Sequence, residues 1–286
     1  MVRIFLKFFL AIFIIIFFSA IFLSYFGLET DRFDKLIKDK VNEVNKYVKI
    51  DFQKTKIHIS PTGLNLIVKL QNPKILVKNN IIVISKFDLF LPLKSFFTSD
   101  FLLKKSEVAF TKNDIKDITK ITNIFLPKII NNKLNKIFHK GTLEGEFIIP
   151  FKQDGSIGKN YAFSGKVSNA TIKLKKDFSI ENFTTEINHT KVDNSDNFKI
   201  IIKNGSIYDI KLVDTVINLK READGIKTQS FLSTKGKLNS SQINKISKLL
   251  NSNFPNFKDI KGKVDLKTKL NFDLSKRFKV RNLNYF

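Results

Sequence analysis

The sequence predicts a mainly β protein with a few helices, in which an N-terminal transmembrane helix precedes a long antiparallel sheet. Three observations predict it. An uncharged apolar run opens the chain, hydrophobic and polar residues alternate over most of the remaining residues, and turn-forming residues punctuate that alternation.

The opening run extends from Phe8 to Leu28, with Arg3 and Lys7 before it and Glu29, Asp31 and Arg32 after it. As a helix it is roughly 31 Å long, matching a hydrocarbon core about 30 Å thick. Phe8, Phe9, Ile14, Ile15, Ile16, Phe17, Phe18, Ile21, Phe22 and Leu23 carry the anchor. Each such residue favours insertion by about 0.3 to 0.6 kcal/mol near the helix centre, set against Ser19, Ser24 and Gly27. The competing reading is a cleaved secretory signal, whose apolar stretch is usually about 7 to 15 residues and ends at a small-x-small site. Ser19 and Ala20 lie inside the run and no such site follows it, so the run reads as an uncleaved anchor. The positive-inside rule keeps residues 1–7 in the cytoplasm and places the bulk of the chain outside. Lys35, Lys38 and Lys40 pull the other way, but acidic residues are interleaved among them.

At 286 residues the chain has room after the anchor for one sizeable core or two small ones. It has no Cys, which excludes disulfides, thiolate zinc sites and a Cys nucleophile. The formal charge of +24 invites a nucleic-acid reading. The cations are nearly all Lys, however, spread singly among Ile, Asn and Phe, with short pairs such as Lys104-Lys105 and Lys175-Lys176. Arg appears only at positions such as Arg3, Arg32, Arg221, Arg277 and Arg281, whereas nucleic-acid readers concentrate charge on one face and use Arg for bidentate contacts. Lys, Asn, Ile and Phe enriched together look like a codon bias. The reading is therefore no nucleic-acid partner, and attraction to anionic headgroups suits a protein held at a bilayer.

After the anchor, Phe33, Leu36, Ile37, Val41, Val44 and Val48 recur at three- and four-residue steps, which predicts an amphipathic helix over 29–47. Its stripe lies on the membrane or caps the first strands, capping being the commoner use. The period then changes to two. Ile57 and Ile59 flank His58, the Ser60-Pro61-Thr62-Gly63 turn comes next, and Leu64, Leu66, Val68 and Leu70 alternate with Asn65, Ile67 and Lys69. Further strands read from Ile75 to Val77, Ile81 to Leu91 and Leu102 to Phe110, and the stretch Asn80–Leu91 is apolar on both faces for part of its length.

Asn113 to Phe138 reads as helical, with Ile115, Ile118, Ile121, Ile124 and Phe125 in step; Pro127 ends or kinks it, and a second helix runs from Ile129 to Phe138. From Gly141 the chain is a series of short strands: Leu143, Gly145 and Phe147, a turn at Gln153-Asp154-Gly155, then Ala170, Ile172 and Leu174, then Phe198, Ile200 and Ile202. Asn204-Gly205 predicts a tight hairpin. Ile210 and Leu212, Ile217 and Leu219, the Asp224-Gly225 turn and Ile226 to Thr234 continue the series. A helix from Ser240 to Asn251, capped by Ser240 or Ser241, interrupts it, and Val264, Leu266, Leu270, Phe272 and Leu274 resume it opposite Asp265, Lys267, Lys269, Asn271 and Asp273. The organisation expected is a cytoplasmic terminus over 1–7, an anchor over 8–28, a helix over 29–47, a sheet-plus-helix region over 48–138 and a β ladder over 139–286.

The uncleaved span, the amphipathic helix, the strand-turn-strand from Lys56 to Leu70 and the ladder opened by Gly141-Thr-Leu-Glu-Gly-Glu-Phe147 together resemble the AsmA-like bacterial envelope proteins. Phe163-Ser-Gly-Lys-Val-Ser-Asn-Ala-Thr-Ile-Lys-Leu174 looks like the recurring Gly-x-Val-x-Asn-Ala-x-Ile element of the YhdP branch, to which TamB is a more distant relative. The resemblance implies an inner-membrane anchor carrying a periplasmic, twisted sheet curled into an apolar groove that passes phospholipids toward the outer membrane. Groove candidates are then Leu64, Leu66, Val68, Leu70, Ile81, Val83, Phe147, Ala170, Ile172, Leu174, Ile200, Ile202, Ile210, Leu212, Val264, Leu266, Leu270, Phe272 and Leu274. The same alternation also builds an ordinary sandwich or barrel core. Family members are often much longer, and about a dozen strands at roughly 4.8 Å spacing span only about 60 Å. A shortened member, a truncated reading frame or one segment of an assembly fits, and an open terminal strand near Asn284-Tyr285-Phe286 invites pairing with other envelope proteins.

Chemistry is not legible. His58, His139 and His189 lie far apart, and no Gly-x-Ser-x-Gly elbow, Walker loop or dinucleotide fingerprint is present. Asp114 and Asp117 stand where negative charge favours a helix N-terminus. Asn169-Ala-Thr171, Asn182-Phe-Thr184 and Asn188-His-Thr190 match the glycosylation pattern, which an Asn-rich chain produces by chance. The expectation is no enzyme, no cofactor and no metal, with phospholipid and the inner membrane as partners; a scaffold for outer-membrane protein assembly is the alternative.

Overall fold

The computed structural model describes residues 2–44, 47–60, 63, 65–77, 80–96, 102–119, 136–175, 178–192, 195–222, 225–249, 258–275 and 280–285. Helix α1 (Val2–Tyr25) opens the chain, followed by β1 (Leu28–Thr30), α2 (Asp34–Val44), β2 (Val48–Asp51), β3 (Lys54–Ser60), β4 (Asn65–Gln71), β5 (Lys74–Val77) and β6 (Asn80–Pro92). A 3-10 turn (Leu93–Phe96) leads to β7 (Lys105–Asp114), β8 (Phe138–Pro150), β9 (Ala162–Lys175), β10 (Phe178–Val192) and β11 (Ser195–Ile207). Then come β12 (Ile210–Leu212), β13 (Thr215–Glu222), β14 (Gly225–Asn239), α3 (Ser240–Leu249), β15 (Lys261–Ser275) and β16 (Val280–Tyr285).

The fold is mostly β, with one large antiparallel sheet. Its order is β1-β3-β4-β6-β7-β8-β9-β10-β11-β12-β14-β15-β16, with β13 between β11 and β14, β2 beside β5 and β5 beside β6. The chain forms two compact units, residues 1–111 with 146–161 and residues 112–145 with 162–286. The division is not the linear one expected at residue 138, because β8 contributes to both.

In the first unit α2 covers the sheet. Phe33 and Ile37 pack with Ile50, Phe52, Ile57, Leu66, Val68, Leu70, Leu89 and Leu91, and Leu36 and Val41 close the margin. The hydroxyl of buried Thr55 donates to the carboxylate of Asp34, pinning the helix start over β3. The capping use of the stripe is the one realised. The helix is shorter than 29–47: Leu28–Thr30 is a strand pairing with Thr55–Ile57, and Val48 lies in β2. Backbone pairing with β3 outweighs continuation of the helix. Likewise α1 stops at Tyr25, where the Phe26 amide bonds the Phe22 carbonyl at 2.8 Å and Gly27 takes φ +69°, so the apolar run to Leu28 is not all helical.

In the second unit Ile115, Val167, Ala170, Ile172, Phe183 and Ile202 form the core, flanked by Ile137, Phe138, Leu143, Ile180, Ile187, Ile200, Leu212 and Ile217. β7 runs on through Asn113 and Asp114, so the helix expected from Asn113 begins at 115 and is described only over 115–119. The Asp114 carboxylate accepts from the Lys116 amide at 2.7 Å, as a charge at a helix start should. Phe138 opens β8 instead of closing a helix. Ile121, Ile124, Phe125, Pro127 and Ile129 lie outside the described residues, as do Pro61, Thr62, Leu64, Asp224 and Asn251.

Asn204-Gly205 is not a hairpin. β11 passes straight through it, the chain reverses at Tyr208-Asp209, and Tyr208 takes φ +53°. Gly205 is buried, and a Cβ there would meet Ile180 at 3.2 Å and Phe183 at 3.3 Å, so the glycine answers to packing. The sequence pattern does not predict β10. Its bulges beside Phe183, with Asn182 at φ +52°, break the two-residue period on which a sequence reading relies. The cap of α3 is Asn239, ahead of both Ser240 and Ser241: its side chain accepts from the Gln242 amide at 2.9 Å while the Gln242 side chain accepts from the Asn239 amide at 3.0 Å.

Candidate functional site

Directly opposed residues of neighbouring strands share a face, so the register sorts the second unit's side chains. Ile187, Ile200, Ile217, Ser230 and Leu270 form one line across β10, β11, β13, β14 and β15. The adjacent line on the same face is Phe163, His189, Phe198, Leu219, Thr228 and Phe272. Beyond it stand Ile226 and Leu274, and toward the other end Ile210 with Val264 and Leu212 with Leu266 extend the surface through Gly236 and Thr234. At the β9–β11 end this face is covered by the helical turn at 115–119 and by Ile137 and Phe138. Toward β15 the side chains Val264, Leu270, Phe272 and Leu274 are half-buried, and Leu266 is 51% exposed.

The groove candidates therefore divide. Ile200, Ile202, Ile210, Leu212, Val264, Leu266, Leu270, Phe272 and Leu274 belong to this one surface, although Ile202 is buried in the core. Ala170 and Ile172 are also core residues. Leu66, Val68 and Leu70 do not line any open groove: they are 2%, 0% and 6% exposed beneath α2, because the amphipathic stripe already covers their face. Ile81 and Val83 are exposed on β6. Phe147 stacks on Phe110 with ring centres 6.1 Å apart. Leu64 and the side chain of Leu174 lie outside the described residues. The sequence reading missed Phe163, Ile187, Ile217, Leu219 and Ile226 as members of the surface. Ile217, Leu219 and Ile226 lie in strands read from the sequence, but only the register through β10 aligns them with Phe163 and Ile187.

Among the described residues, two buried hydroxyls on this face, Thr228 Oγ1 and Ser230 Oγ, have no protein hydrogen-bond partner. A polar island adjoins it. His189 Nε2 lies 3.2 Å from Asp196 Oδ1, Arg221 lies 3.8 Å from the other carboxylate oxygen, and the His189 ring stacks on Phe198 at 4.1 Å. The hydroxyl in line with His189, on Thr228, sits three strands away, about 14 Å.

Set against protein-family models, curated proteins and solved structures, the chain matches none. The residues and their geometry are then what speak to function. Among the described residues, no three His, Cys, Asp or Glu side chains gather as a metal site would need.

The anchor side is defined by exposure. The segment Phe5–Tyr25 is long and apolar enough to cross a membrane, and none of it is buried in the protein. Phe8, Phe9, Ile14, Ile15, Ile16, Phe17, Phe18, Ile21 and Phe22 are all exposed and Leu23 is half-buried. At its foot His58 Nδ1 lies 3.3 Å from the Ser24 carbonyl. Burial, helped by Lys69 and Lys56, holds the His58 imidazole below the usual histidine range despite that hydrogen bond.

A charged line crosses the same unit: Glu29, Lys56, Lys69, Asp88 and Glu107 stand opposite one another on β1, β3, β4, β6 and β7. Burial pushes the Asp88 carboxyl up, and Lys69 and Lys86 offset this only in part. Burial also pushes the Glu107 carboxyl up, but hydrogen bonds from Lys105 at 2.6 Å and Lys86 at 2.5 Å outweigh it and hold Glu107 below the usual glutamate range. Lys86 is raised in turn: burial opposes its charge, yet Glu107 and Glu146 prevail.

Proposed function

We propose that this chain is an AsmA-like protein anchored in the bacterial inner membrane by α1, with its bulk in the periplasm, and that it binds or conducts phospholipids toward the outer membrane in support of envelope integrity. It has no enzymatic role in this reading. The observation that carries it is the apolar surface of β10–β15, which narrows from a covered core to half-buried and exposed side chains at Leu270, Phe272 and Leu266. Apolar surface of that extent favours a cover at about 25 cal/mol per Å², and an acyl chain is one that needs no hydrogen-bonding partner. The mostly uncharged rows also suit a ligand of no fixed shape.

The test is a photo-crosslinking amino acid placed at Leu266, Leu270 or, on the opposite face, Lys227, in the full chain expressed in cells. Phospholipid adducts at 266 and 270 and none at 227 are the expected result. Leu266→Asp should then lower the adduct yield at 270, since a carboxylate among acyl chains loses its hydration. Protein adducts at 266 and 270 in place of lipid would shift the assignment to a scaffold for outer-membrane protein assembly.

A further inference from the structure

The lysines that look evenly scattered along the sequence are not scattered in space. On the face opposite the apolar surface, one line across the strands runs Lys166, Glu186, Ile201, Val216, Phe231 and Lys269. The next runs Asn188, Lys199, Asn218, Gln229, Asn271 and Asn284, and a third runs Thr190, Asn197, Lys220, Lys227, Asp273 and Arg281. Within these three lines six cations face two carboxylates, Glu186 and Asp273, on a surface about 29 Å across. Both carboxylates already have partners: Glu186 lies 3.6 Å from Lys203, and Asp273 accepts from Asn282 at 2.8 Å. Lys227 is held 2.8 Å from Glu222. Among the described residues, Lys166, Lys199 and Lys220 have no carboxylate partner, and all three are exposed. Along the second and third lines lies a hollow of about 620 Å³ whose lining includes Asn188, Asn218 and Asn271. Amides donate hydrogen bonds to phosphate oxygens without adding charge of either sign.

We propose that this face docks on the phosphate-bearing surface of an anionic bilayer. The pattern favours a bilayer over a nucleic acid on three grounds. Five of the six cations are Lys, which act as point charges and give no bidentate readout. The one exposed ring on this face among the described residues, Phe231, has the Lys269 ammonium 5.5 Å above it and offers no free platform for a base. The chain also carries its own candidate span, so the face meets bilayers at high effective concentration. The basic face lies opposite the lipid-binding surface, so either assignment can fail while the other stands.

The experiment is flotation of the full chain, held in nanodiscs of phosphatidylcholine, with vesicles of phosphatidylcholine alone or with phosphatidylglycerol at about one part in three. Capture by the anionic vesicles only, weakening as salt rises, is expected. Lys199→Gln with Lys220→Gln should weaken capture about 30-fold. Lys49→Gln with Lys74→Gln, two exposed lysines of the first unit, should leave it within about twofold. Thermal melts of both pairs establish that each is folded. Equal capture by neutral vesicles, or equal loss in both pairs, overturns the proposal. So does single-stranded DNA that binds more tightly than vesicles at matched phosphate through Lys199 and Lys220, which would name a nucleic acid as the partner.

Discussion

Gly27 sets the path of the chain where α1 meets the sheet. Its φ of +69° ends α1, and a Cβ there would sit 2.8 Å from the His58 ring and 2.8 Å from the Ile57 carbonyl. The ring can swing aside only at the loss of its bond to Ser24; the carbonyl belongs to β3 and has no such freedom. Gly27→Ala should destabilise the first unit by more than about 1 kcal/mol, read as a lowered melting temperature of the full chain in nanodiscs. An unchanged melt would mean that the turn relaxes. At Gly205 the same residue type answers a different demand, that of close packing against Ile180 and Phe183, and nothing local in Asn204-Gly205 distinguishes the two uses.

Elements are legible where the period is clean. β4 and β15 alternate without interruption and can be read directly, as can α3, whose Ile243 and Ile246 recur at helical spacing. The reciprocal Asn239–Gln242 bonds make a prediction about that helix: Asn239→Ala should cost about 1 kcal/mol, measured by chemical denaturation, whereas Ser241→Ala should cost much less. β10 shows the opposite case, a strand hidden by its own bulges.

The charged line of the first unit gives a pH prediction. Glu107 is held low, so its contribution is complete above the ordinary glutamate range and is lost as pH falls below it; that of Lys86, held high, is lost only as pH rises through its elevated value. Asp88 is pushed up and works in reverse, gaining stability on protonation. Glu107→Gln should therefore be less stable than the parent at neutral pH, with the deficit shrinking as pH falls below the ordinary glutamate range. Asp88→Asn should be more stable at neutral pH, with its advantage vanishing over the same descent. A deficit for Glu107→Gln that stays constant with pH would show that packing, not charge, holds the site.

At the scale of the molecule, the two units treat the same alternation differently. Leu66 and Leu266 both occupy the apolar phase of a strand, but one is 2% and the other 51% exposed. Leu66→Ala should cost about 2 to 5 kcal/mol and Leu266→Ala less than about 1 kcal/mol, compared by denaturant titration of the full chain. Equal costs would mean that Leu266 is covered in solution, and would remove the main support for a lipid-binding surface.

What the sequence determined by itself was whatever depends on neighbours a few residues away. Mean apolarity and length give a helix long and apolar enough to cross a membrane, the two-residue period gives most strands, and the amphipathic stripe from Phe33 to Val41 gives α2. The tertiary structure decided what depends on register. It placed α2 over Leu66, Val68 and Leu70, which closes that core, and among the described residues it left Leu266, Leu270 and Phe272 without an equivalent cover. It also gathered Lys199, Lys220 and Lys227 onto one face. The physical reason is that a strand's own sequence fixes which side chains share a side, while only its pairing with partners far along the chain fixes what stands beside them and what lies on top.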